Sequence, residues 1–490
     1  MHEISADLQT NIDYIKTQLP SDMDTVLRRF ELGSGQQAAS LFIDGLVSKE
    51  LLGRDFYAPL MREVKQPSSI ERIAATVIAG GEVELAGDMQ QVLGAVLQGL
   101  TALFIDGERQ ALLLEVISWP QRSVEEPSTD VVIRGPREGY VESLRVNVSL
   151  LRRKIHHRDF RVEMFRLGRY SQTDVAVVYV ESIVNRDVLR MICERLRRID
   201  IDAILDSGQV EQLIQDTPYS LFPTIGMGEK PDITAAKILE GRVAVLIDGS
   251  PSVLSAPMFF IEALHSPEDY YTRFHYASWL RIIRSISFLI NVYLPGFFLA
   301  VCCHHPEMVP LKLLLSMSVA QAETPFSLGV SLLLISLVYE ILKEAGVRLP
   351  KPAGQAISIV GAIIMGDAAI AAGLISAPVL IVLSITVVAA FVAAPLTDAS
   401  SLLRLLFLVL GWFTGLFGMM LGTVAMLLYL GSLKSVGVDY FAPIAPFDRN
   451  EFKEVTLRYP LWKLQFRPQQ LSRNRRRMAS GQGMEAEHES

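Results

Sequence analysis

Cysteine is scarce in this chain: Cys193, Cys302 and Cys303 are the only three among 490 residues. They provide no CxxC pair, so neither a disulfide framework nor a cysteine-based metal site is expected. The opening sixteen residues, MHEISADLQTNIDYIK, lack both the basic segment and the apolar run of a secretory signal peptide. These absences favour a reducing compartment and a cytoplasmic N-terminal half.

Motifs for enzymatic chemistry are also lacking. The chain contains neither a Walker A pattern nor a GxSxG nucleophile elbow. His304 and His305 are adjacent, so on a helix their side chains would diverge by about 100° and would not chelate one ion. The net charge of −7 gives no reason to expect nucleic acid as a partner. We therefore predict a protein that is not an enzyme, without catalytic residues, metal or cofactor.

Charged residues are sparse between Arg284 and Lys434, although they are frequent on either side of this stretch. Five apolar segments within it approach the ~20 residues needed to cross about 30 Å of hydrocarbon. These segments are Ile282 to Cys303, Phe326 to Leu342, Gln355 to Leu374, Pro378 to Ala394, and Leu402 to Leu430. The run Leu311 to Val319 is too short to span. The pattern predicts a multi-pass membrane protein in contact with lipid.

Basic residues flank both ends of the apolar stretch. Arg281 and Arg284 precede the first segment, and the C-terminal tail is rich in lysine and arginine. The positive-inside rule then places both ends in the cytoplasm, which requires an even number of crossings. Because five segments are counted, either one is re-entrant or the last breaks near Gly415 or Gly418 and crosses twice. We expect four to six crossings.

The N-terminal half, of roughly 280 residues, reads as a repeated unit. Two hairpins share the pattern ALFIDG and AVLIDG, with Asp106-Gly107 and Asp248-Gly249 as turns. We predict an α/β or α+β N-terminal half of two related subdomains, followed by an all-α transmembrane bundle. The expected divisions are residues 1–145, 146–280, the transmembrane domain 281–434, and a basic cytoplasmic tail 435–490.

An ionisable residue inside an apolar segment is a candidate functional residue, because its burial in hydrocarbon is costly. Asp367 lies within QAISIVGAIIMGDAAIAAGLIS. One side of this helix carries small residues that permit close helix packing; the candidates are Gly354, Ser358, Gly361, Ala368 and Ala372. The other side carries the pore or gate candidates, which are Val360, Ile363, Ile364, Asp367 and Ile370.

Two interpretations of Asp367 stay open at this point. Ile363 and Ile364 suit a hydrophobic constriction that gates by dewetting, with a ring of Asp367 favouring cations. Alternatively, Asp367 pairs with a basic residue or caps a helix break. Other charges in the apolar half are expected at the membrane surface: Glu340 lies at a segment end, and Arg404 is placed to snorkel.

Several stretches resemble the A subunits of the GerA-type spore germinant receptors. The likeness is carried by DSGQVEQLIQDTPYSLFPTI (206–225), GRVAVLIDGSPSVLSAP (241–257), SPEDYYTRF (266–274), GVDYFAPIAPF (437–447) and the segment 340–376 that contains Asp367. LFIDGLVSKELL and VIRGPREGYVESLRVNVSLLRRKI resemble the N-terminal domain of the same family. The resemblance spans nearly the whole chain, with the last forty or so residues weakly matched.

The resemblance implies a location and a role. Such receptors lie in the inner membrane of the spore and contain a transporter-like B subunit that binds the nutrient and a lipoprotein C subunit. The A subunits are thought to form a homo-oligomeric ring, proposed to be a pentamer, around a cation pore that starts germination. Many relatives are expected to carry glutamine where this chain has Asp367.

Two other functions are compatible with the sequence. The first is a non-conducting signalling or scaffold membrane subunit associated with germination channels, because A-like architecture is not confined to nutrient receptors. The second is a secondary transporter, which usually shows internal repeats of hydrophobic segments. No such repeat is visible among the five segments, so the transporter ranks last.

Overall fold

The computed structural model describes residues 2–19, 24–78, 83–116, 134–348, 366–392, 396–447, 455, 457–472, 474 and 476–477. Strands occur up to Ala256 and again in a short ribbon after Ser432. Between Phe274 and Ser432, the described regular structure is helical. This division follows the distribution of charge, because the helices occupy the stretch in which charged residues are sparse.

The first unit of the N-terminal half, residues 2–116, is built on a five-stranded antiparallel sheet in the order β1-β2-β4-β5-β3. Its strands are β1 (Thr25–Glu31), β2 (Gln37–Ile43), β3 (Val83–Ala86), β4 (Thr101–Ile105) and β5 (Ala111–Leu114). Its helices are α1 (Leu8–Gln18), α2 (Lys49–Leu51), α3 (Ala58–Arg62), α4 (Ile70–Thr76) and α5 (Met89–Leu97). A π-helical turn, Leu52–Tyr57, joins α2 to α3.

The second unit, residues 140–256, has an antiparallel sheet in the equivalent order β6-β7-β9-β10-β8. Its strands are β6 (Phe160–Leu167), β7 (Thr173–Val180), β8 (Gly226–Gly228), β9 (Val243–Ile247) and β10 (Val253–Ala256). Its helices are α6 (Leu144–Arg152), α7 (Arg186–Arg198), α8 (Ser207–Ile214) and α9 (Pro231–Glu240). Helices cover both faces of each sheet. The central strands therefore read as continuous apolar runs.

The Asp-Gly turn has the same role in both units. The Asp106 carboxylate accepts the backbone N–H of Leu8, the first residue of α1, at 3.2 Å. The Asp248 carboxylate accepts that of Leu144, the first residue of α6, at 3.0 Å. Each aspartate thereby satisfies a helix N–H that has no partner within its helix. The likeness of ALFIDG and AVLIDG marks equivalent positions in two sheets of the same strand order.

The helical half follows two short 3₁₀ turns, Phe260–Leu264 and Pro267–Tyr270. Its helices are α10 (Phe274–His304), α11 (Leu311–Ala322), α12 (Leu328–Arg348), α13 (Ala377–Val392) and α14 (Thr397–Ser432). By length and composition, α10 and α14 are sufficient to cross a membrane. At 31 residues, α10 extends about 46 Å.

The longest helix, α14, is a hairpin. Its Gly415 has φ 66° and ψ −153°, which are not helical values. A Cβ built on Gly422 would lie 2.7 Å from the Leu410 side chain, although residues 12 apart in a continuous helix are separated by about 18 Å. The chain therefore reverses at Gly415 into two arms, 397–414 and 416–432. The break near Gly415 or Gly418, one of the alternatives that the sequence left open, is found at Gly415.

The bundle has two distinguishable ends. At the near end, Leu396, just before α14, and Leu430 of α14 pack with Phe222 and Phe260 of the N-terminal half. At the far end, Nε2 of the His304 ring lies 2.7 Å from the carbonyl oxygen of Trp412. Helix α10 therefore runs from the near end to the far end, the first arm of α14 runs parallel to it, and the second arm returns.

Helices α12 and α13 connect the same two ends. Gly329, at the start of α12, lies against the Trp412 ring, whereas Lys343 donates to the Ser401 hydroxyl at 3.0 Å. Helix α12 therefore ends at the near end. Just before α13, Ser376 bonds to Gln321, the penultimate residue of α11. Ser376 therefore lies at the far end, and α13 leads from there back toward Leu396.

The tail returns to the N-terminal half. The ribbon of β11 (Lys434–Ser435) and β12 (Val438–Asp439) begins it, with the Ser435 hydroxyl 2.8 Å from the backbone N–H of Met258. Further along, Arg467 donates to the carbonyl of Leu239 at 2.7 Å, and Leu471 is fully buried. The described residues of the tail therefore lie on the near side of the bundle, against the N-terminal half.

Gly296 and Gly411 bring α10 and α14 into backbone contact. A Cβ on Gly411 would lie 2.1 Å from the Gly296 carbonyl oxygen. We predict that Gly411→Ala lowers the free energy of unfolding in detergent by about 1–3 kcal/mol, because the helices must separate to admit the methyl group. Gly431→Ala is the control, since a Cβ there meets nothing within 4 Å. Equal stability of the two variants would contradict the close contact.

Candidate functional site in the helical half

The residues singled out from the sequence are only partly described. The candidates outside the described residues are Gly354, Ser358, Val360, Gly361, Ile363 and Ile364. Asp367, Ala368, Ile370 and Ala372 lie inside them. The pore face and the packing face therefore stay predictions, and the structure places only the end of each face.

Asp367 lies on a short helical stretch, residues 366–371, that precedes α13. Gly366 is buried, and a Cβ built on it would lie 3.1 Å from the Leu380 side chain of α13. Asp367 itself is exposed, as are Ala368 and Ala372, and Ile370 is half-buried. The carboxylate therefore stands on the surface of the single chain, beside the residue that fixes this stretch to α13.

A charged centre lies deeper in the bundle, where α10, α12 and α14 meet. Arg404 of α14 is 3% exposed and donates to the Asn291 side-chain oxygen of α10 at 2.9 Å. It also forms an ion pair with Glu340 of α12. Lys343 approaches the same carboxylate at 2.9 Å, and Asn291 donates to the Ser400 hydroxyl at 2.8 Å. One guanidinium group thus connects three helices.

The prediction that Arg404 snorkels to the surface is wrong. Its side chain is held inside the bundle because Asn291 and Glu340 satisfy the guanidinium there. Glu340 remains one-third exposed, as expected of a group near a segment end. The sequence did contain an indication of this charged centre, because Asn291 and Arg404 both lie within apolar segments and buried polar groups need partners. Spacing alone, however, does not join residues 291, 340 and 404.

At the near end, Asp269 connects the N-terminal half to the first long helix. Its fully buried side chain accepts from Arg281 at 2.9 Å and also pairs with Arg284. Burial acts to raise the pKa of Asp269, but the hydrogen bonds and charges of Arg284 and Arg281 outweigh it, so the pKa lies below its ordinary value. The arginines that marked orientation in the sequence therefore also join the two halves.

His265 lies beside this ion pair and is expected to make stability depend on pH. Burial and the charge of Arg281 lower its pKa to about 4, while its Nε2 lies 3.1 Å from the Val455 carbonyl oxygen. Between pH 6.5 and about 4 the unfolded chain binds a proton that the folded chain does not. Stability therefore falls as the pH falls through this window, by at most about 3 kcal/mol.

The measurement is the free energy of unfolding between pH 7 and 4.5, compared with His265→Gln. Glutamine keeps a donor for the Val455 carbonyl but does not titrate. The other histidines are common to both proteins, so the difference between the two curves isolates His265. Asp269 loses its stabilising charge only below its own lowered pKa, outside this window. Parallel curves would show that His265 is accessible to protons in the folded state.

Within the described residues, no group of three or more His, Cys, Asp or Glu side chains is placed to hold a metal ion. Cys193, Cys302 and Cys303 are free thiols. Burial raises the pKa of the Cys193 thiol to about 12, and the nearby Glu163 carboxylate adds to the effect. Such a thiol is protonated at neutral pH and is a poor nucleophile. The charged centre and Asp367 therefore remain the main candidates for function.

Comparison with known proteins gives concordant matches. Residues 13–470 match the family model described as Bacillus/Clostridium GerA spore germination protein. The chain is 36% identical to spore germination protein KA of Bacillus subtilis over 96% of its own length and 88% of that protein. It is 34% identical to spore germination protein B1 of the same organism, over 95% of its own length and 97% of that protein.

Among solved structures, the following is also similar. It is the crystal structure of the N-terminal domain of the A subunit of the Bacillus megaterium spore germinant receptor GerK3, at 31% identity and a TM-score of 0.43. The match covers 53% of this chain and 97% of that structure. The family match, in contrast, extends through the helical half. From that match and the identity to full-length relatives, we conclude that the chain belongs to the GerA family of spore germination proteins.

Proposed function

We propose that this chain is the A subunit of a nutrient germinant receptor in the inner membrane of the spore, and that copies of it form a ligand-gated cation channel. The proposed membrane location rests on one observation: the helices pass back and forth between the two ends of one bundle. The names of the relatives, which are spore germination proteins, support the role in germination.

Passages along α10, α12, α13 and the two arms of α14 make five crossings. We propose the apolar segment Gln355 to Leu374, predicted from the sequence and largely outside the described residues, as the sixth. Six is an even number, which is required because the N-terminal half and the tail lie at the same end of the bundle. With the basic tail on the cytoplasmic side, the N-terminal half is also cytoplasmic.

The exposed stretch around Asp367 supports a contact between copies. Ala368 and Ala372 are small and exposed, so a neighbouring helix can approach closely there. In a ring, proposed to be a pentamer, Ile363 and Ile364 would form the constriction and Asp367 the cation-selective ring. We further propose a transporter-like B subunit and a lipoprotein C subunit as partners.

Asp367 is tested by ion selectivity. We expect Asp367→Asn to lower the ratio of cation to anion permeability by about tenfold, because a ring of carboxylates near the ion path contributes roughly 1–2 kcal/mol. The measurement is reversal potential or ion flux in liposomes that contain the chain with its receptor partners. Asp398→Asn is the control, because Asp398 is an exposed acid at the near end of α14.

The same assay separates the channel from its alternative. Flux through the reconstituted chain supports a conducting subunit. If no flux appears in any partner context, the chain is a non-conducting signalling or scaffold subunit. If flux occurs but Asp367→Asn leaves selectivity unchanged, the chain conducts and Asp367 does not line the path.

A further inference from the structure

Exposed aromatic and basic side chains surround the near end of the bundle. Tyr276 and Trp279, on the first two turns of α10, are each 58% exposed and are three residues apart, so they share one side of the helix. Arg273 is exposed just before them, and Lys434 is exposed just after the last arm of α14. Aromatic and basic residues at the ends of apolar spans are typical of the membrane–water interface.

A loop of the N-terminal half reaches the same level. We name residues 216–221, between α8 and β8, the Tyr219 loop. Tyr219 is 96% exposed and Leu221 is 43% exposed. The next residue, Phe222, is 1% exposed, with its ring 5.7 Å from that of Phe260. The chain thus buries one aromatic ring and leaves a second aromatic ring and a leucine uncovered within four residues.

The depth of this loop is fixed by contacts with the end of α14. The Phe222 ring lies 6.4 Å from that of Tyr429, which is three residues before the end of the helix. On either side of the loop, the Asp216 carboxylate accepts the backbone N–H of Gly437 at 3.1 Å, and the Thr224 carbonyl accepts from the Ser435 hydroxyl. The two ends of the loop are therefore held beside the end of the second arm of α14 and the ribbon that follows it.

We propose that the Tyr219 loop binds the phospholipid surface on the side of the N-terminal half. Tyr219 lies among the headgroups, Leu221 contacts the start of the acyl chains, and Lys434 approaches the lipid phosphate. Tyrosine suits this position because its ring is apolar and its hydroxyl can bond to water or headgroup. The second unit is thereby attached to the bilayer directly, as well as through α10 and the tail. This inference rests on the membrane placement proposed above.

Lipid is favoured over a second copy of the chain because the loop continues the lipid-facing surface of α14. Leu421, Leu427 and Leu428 of the second arm are 51%, 45% and 71% exposed, and Leu428 directly precedes the Tyr429 that positions the loop. An apolar helix surface that ends in tyrosine, leucine and lysine matches the order of acyl chain, interface and phosphate. An interface between soluble domains does not require this order.

The experiment measures contact with lipid at three positions of the full chain. In a protein with Cys193, Cys302 and Cys303 replaced by serine or alanine, single cysteines replace Tyr219, Trp279 or Lys49, and each carries an environment-sensitive fluorophore. Lys49 is the control, because its side chain is 60% exposed in the first unit. The vesicles contain phosphatidylethanolamine and phosphatidylglycerol, with or without a lipid whose nitroxide lies near the headgroup.

Quenching by the nitroxide lipid is expected to be about five-fold stronger at position 219 than at position 49, and similar to that at 279. Quenching at 219 no stronger than at 49, with strong quenching at 279, overturns this inference alone. Weak quenching at both 219 and 279 overturns the proposed membrane placement. A label at 219 that is shielded from lipid and water but self-quenches in fully labelled protein is covered by a second copy, and this also overturns the inference.

Discussion

Replacing Glu340 by alanine is expected to lower the free energy of unfolding of the membrane protein by about 3–5 kcal/mol, because it leaves Arg404 charged and buried. The Arg404 side chain is 4% exposed, whereas that of Glu340 is 34% exposed and keeps Lys343 as a partner. Arg404→Met should therefore cost less than Glu340→Ala. The two costs differ because Glu340→Ala leaves a buried guanidinium, whereas Arg404→Met leaves a carboxylate that is partly exposed to water.

The pair is best measured as a cycle of the two single variants and the double variant, by unfolding in detergent or nanodiscs. The double variant should be more stable than Glu340→Ala alone, since it contains no uncompensated guanidinium. Glu307→Ala is the matched control, because Glu307 forms a pair with His305 while its side chain is 70% exposed, and such pairs contribute about 0–1 kcal/mol. If Glu340→Ala is no more costly than Glu307→Ala, the charged centre is open to solvent.

Much of the N-terminal half follows from local sequence. Both predicted Asp-Gly turns join antiparallel strands, β4 to β5 and β9 to β10, as the two hairpin patterns indicate. Strands β1 and β6 were not recognised, because each forms one edge of its sheet and is only partly buried. In such strands, exposed arginines and glutamates interrupt the apolar run. A partly buried edge strand therefore lacks the continuous apolar run that identifies a central strand.

The helical half shows what local patterns leave undetermined. The sequence indicates that the last segment is long enough to break, and several glycines offer a place. The chain reverses at Gly415 because the packing around it permits the turn. His304 lies against Gly415, and after the reversal Gly422 packs beside Leu410. The charged centre has the same origin, since Arg404 meets partners 113 and 64 residues earlier in the chain. Contacts at such separations leave no periodicity in the sequence.

Replacing Ile363 or Ile364 by alanine is expected to let spores germinate without nutrient and to raise ion leak through the reconstituted receptor by about tenfold or more. In the proposed ring, each substitution removes three carbon atoms per copy from the narrowest apolar section. A wider and less apolar constriction fills with water, so it no longer holds the ion path closed. The measurements are spontaneous germination and flux per receptor in liposomes without germinant.

The control must separate a gate from a packed core, because a truncated isoleucine weakens either one. Ile385→Ala removes the same atoms from α13, where the side chain is 47% exposed, and is expected to leave the closed state intact. Ile364→Leu keeps the volume, so it should retain closure while Ile364→Ala loses it. If the alanine variants lower only the amount of receptor, and leak per receptor stays at the level of Ile385→Ala, both isoleucines are core residues and the ion path closes elsewhere.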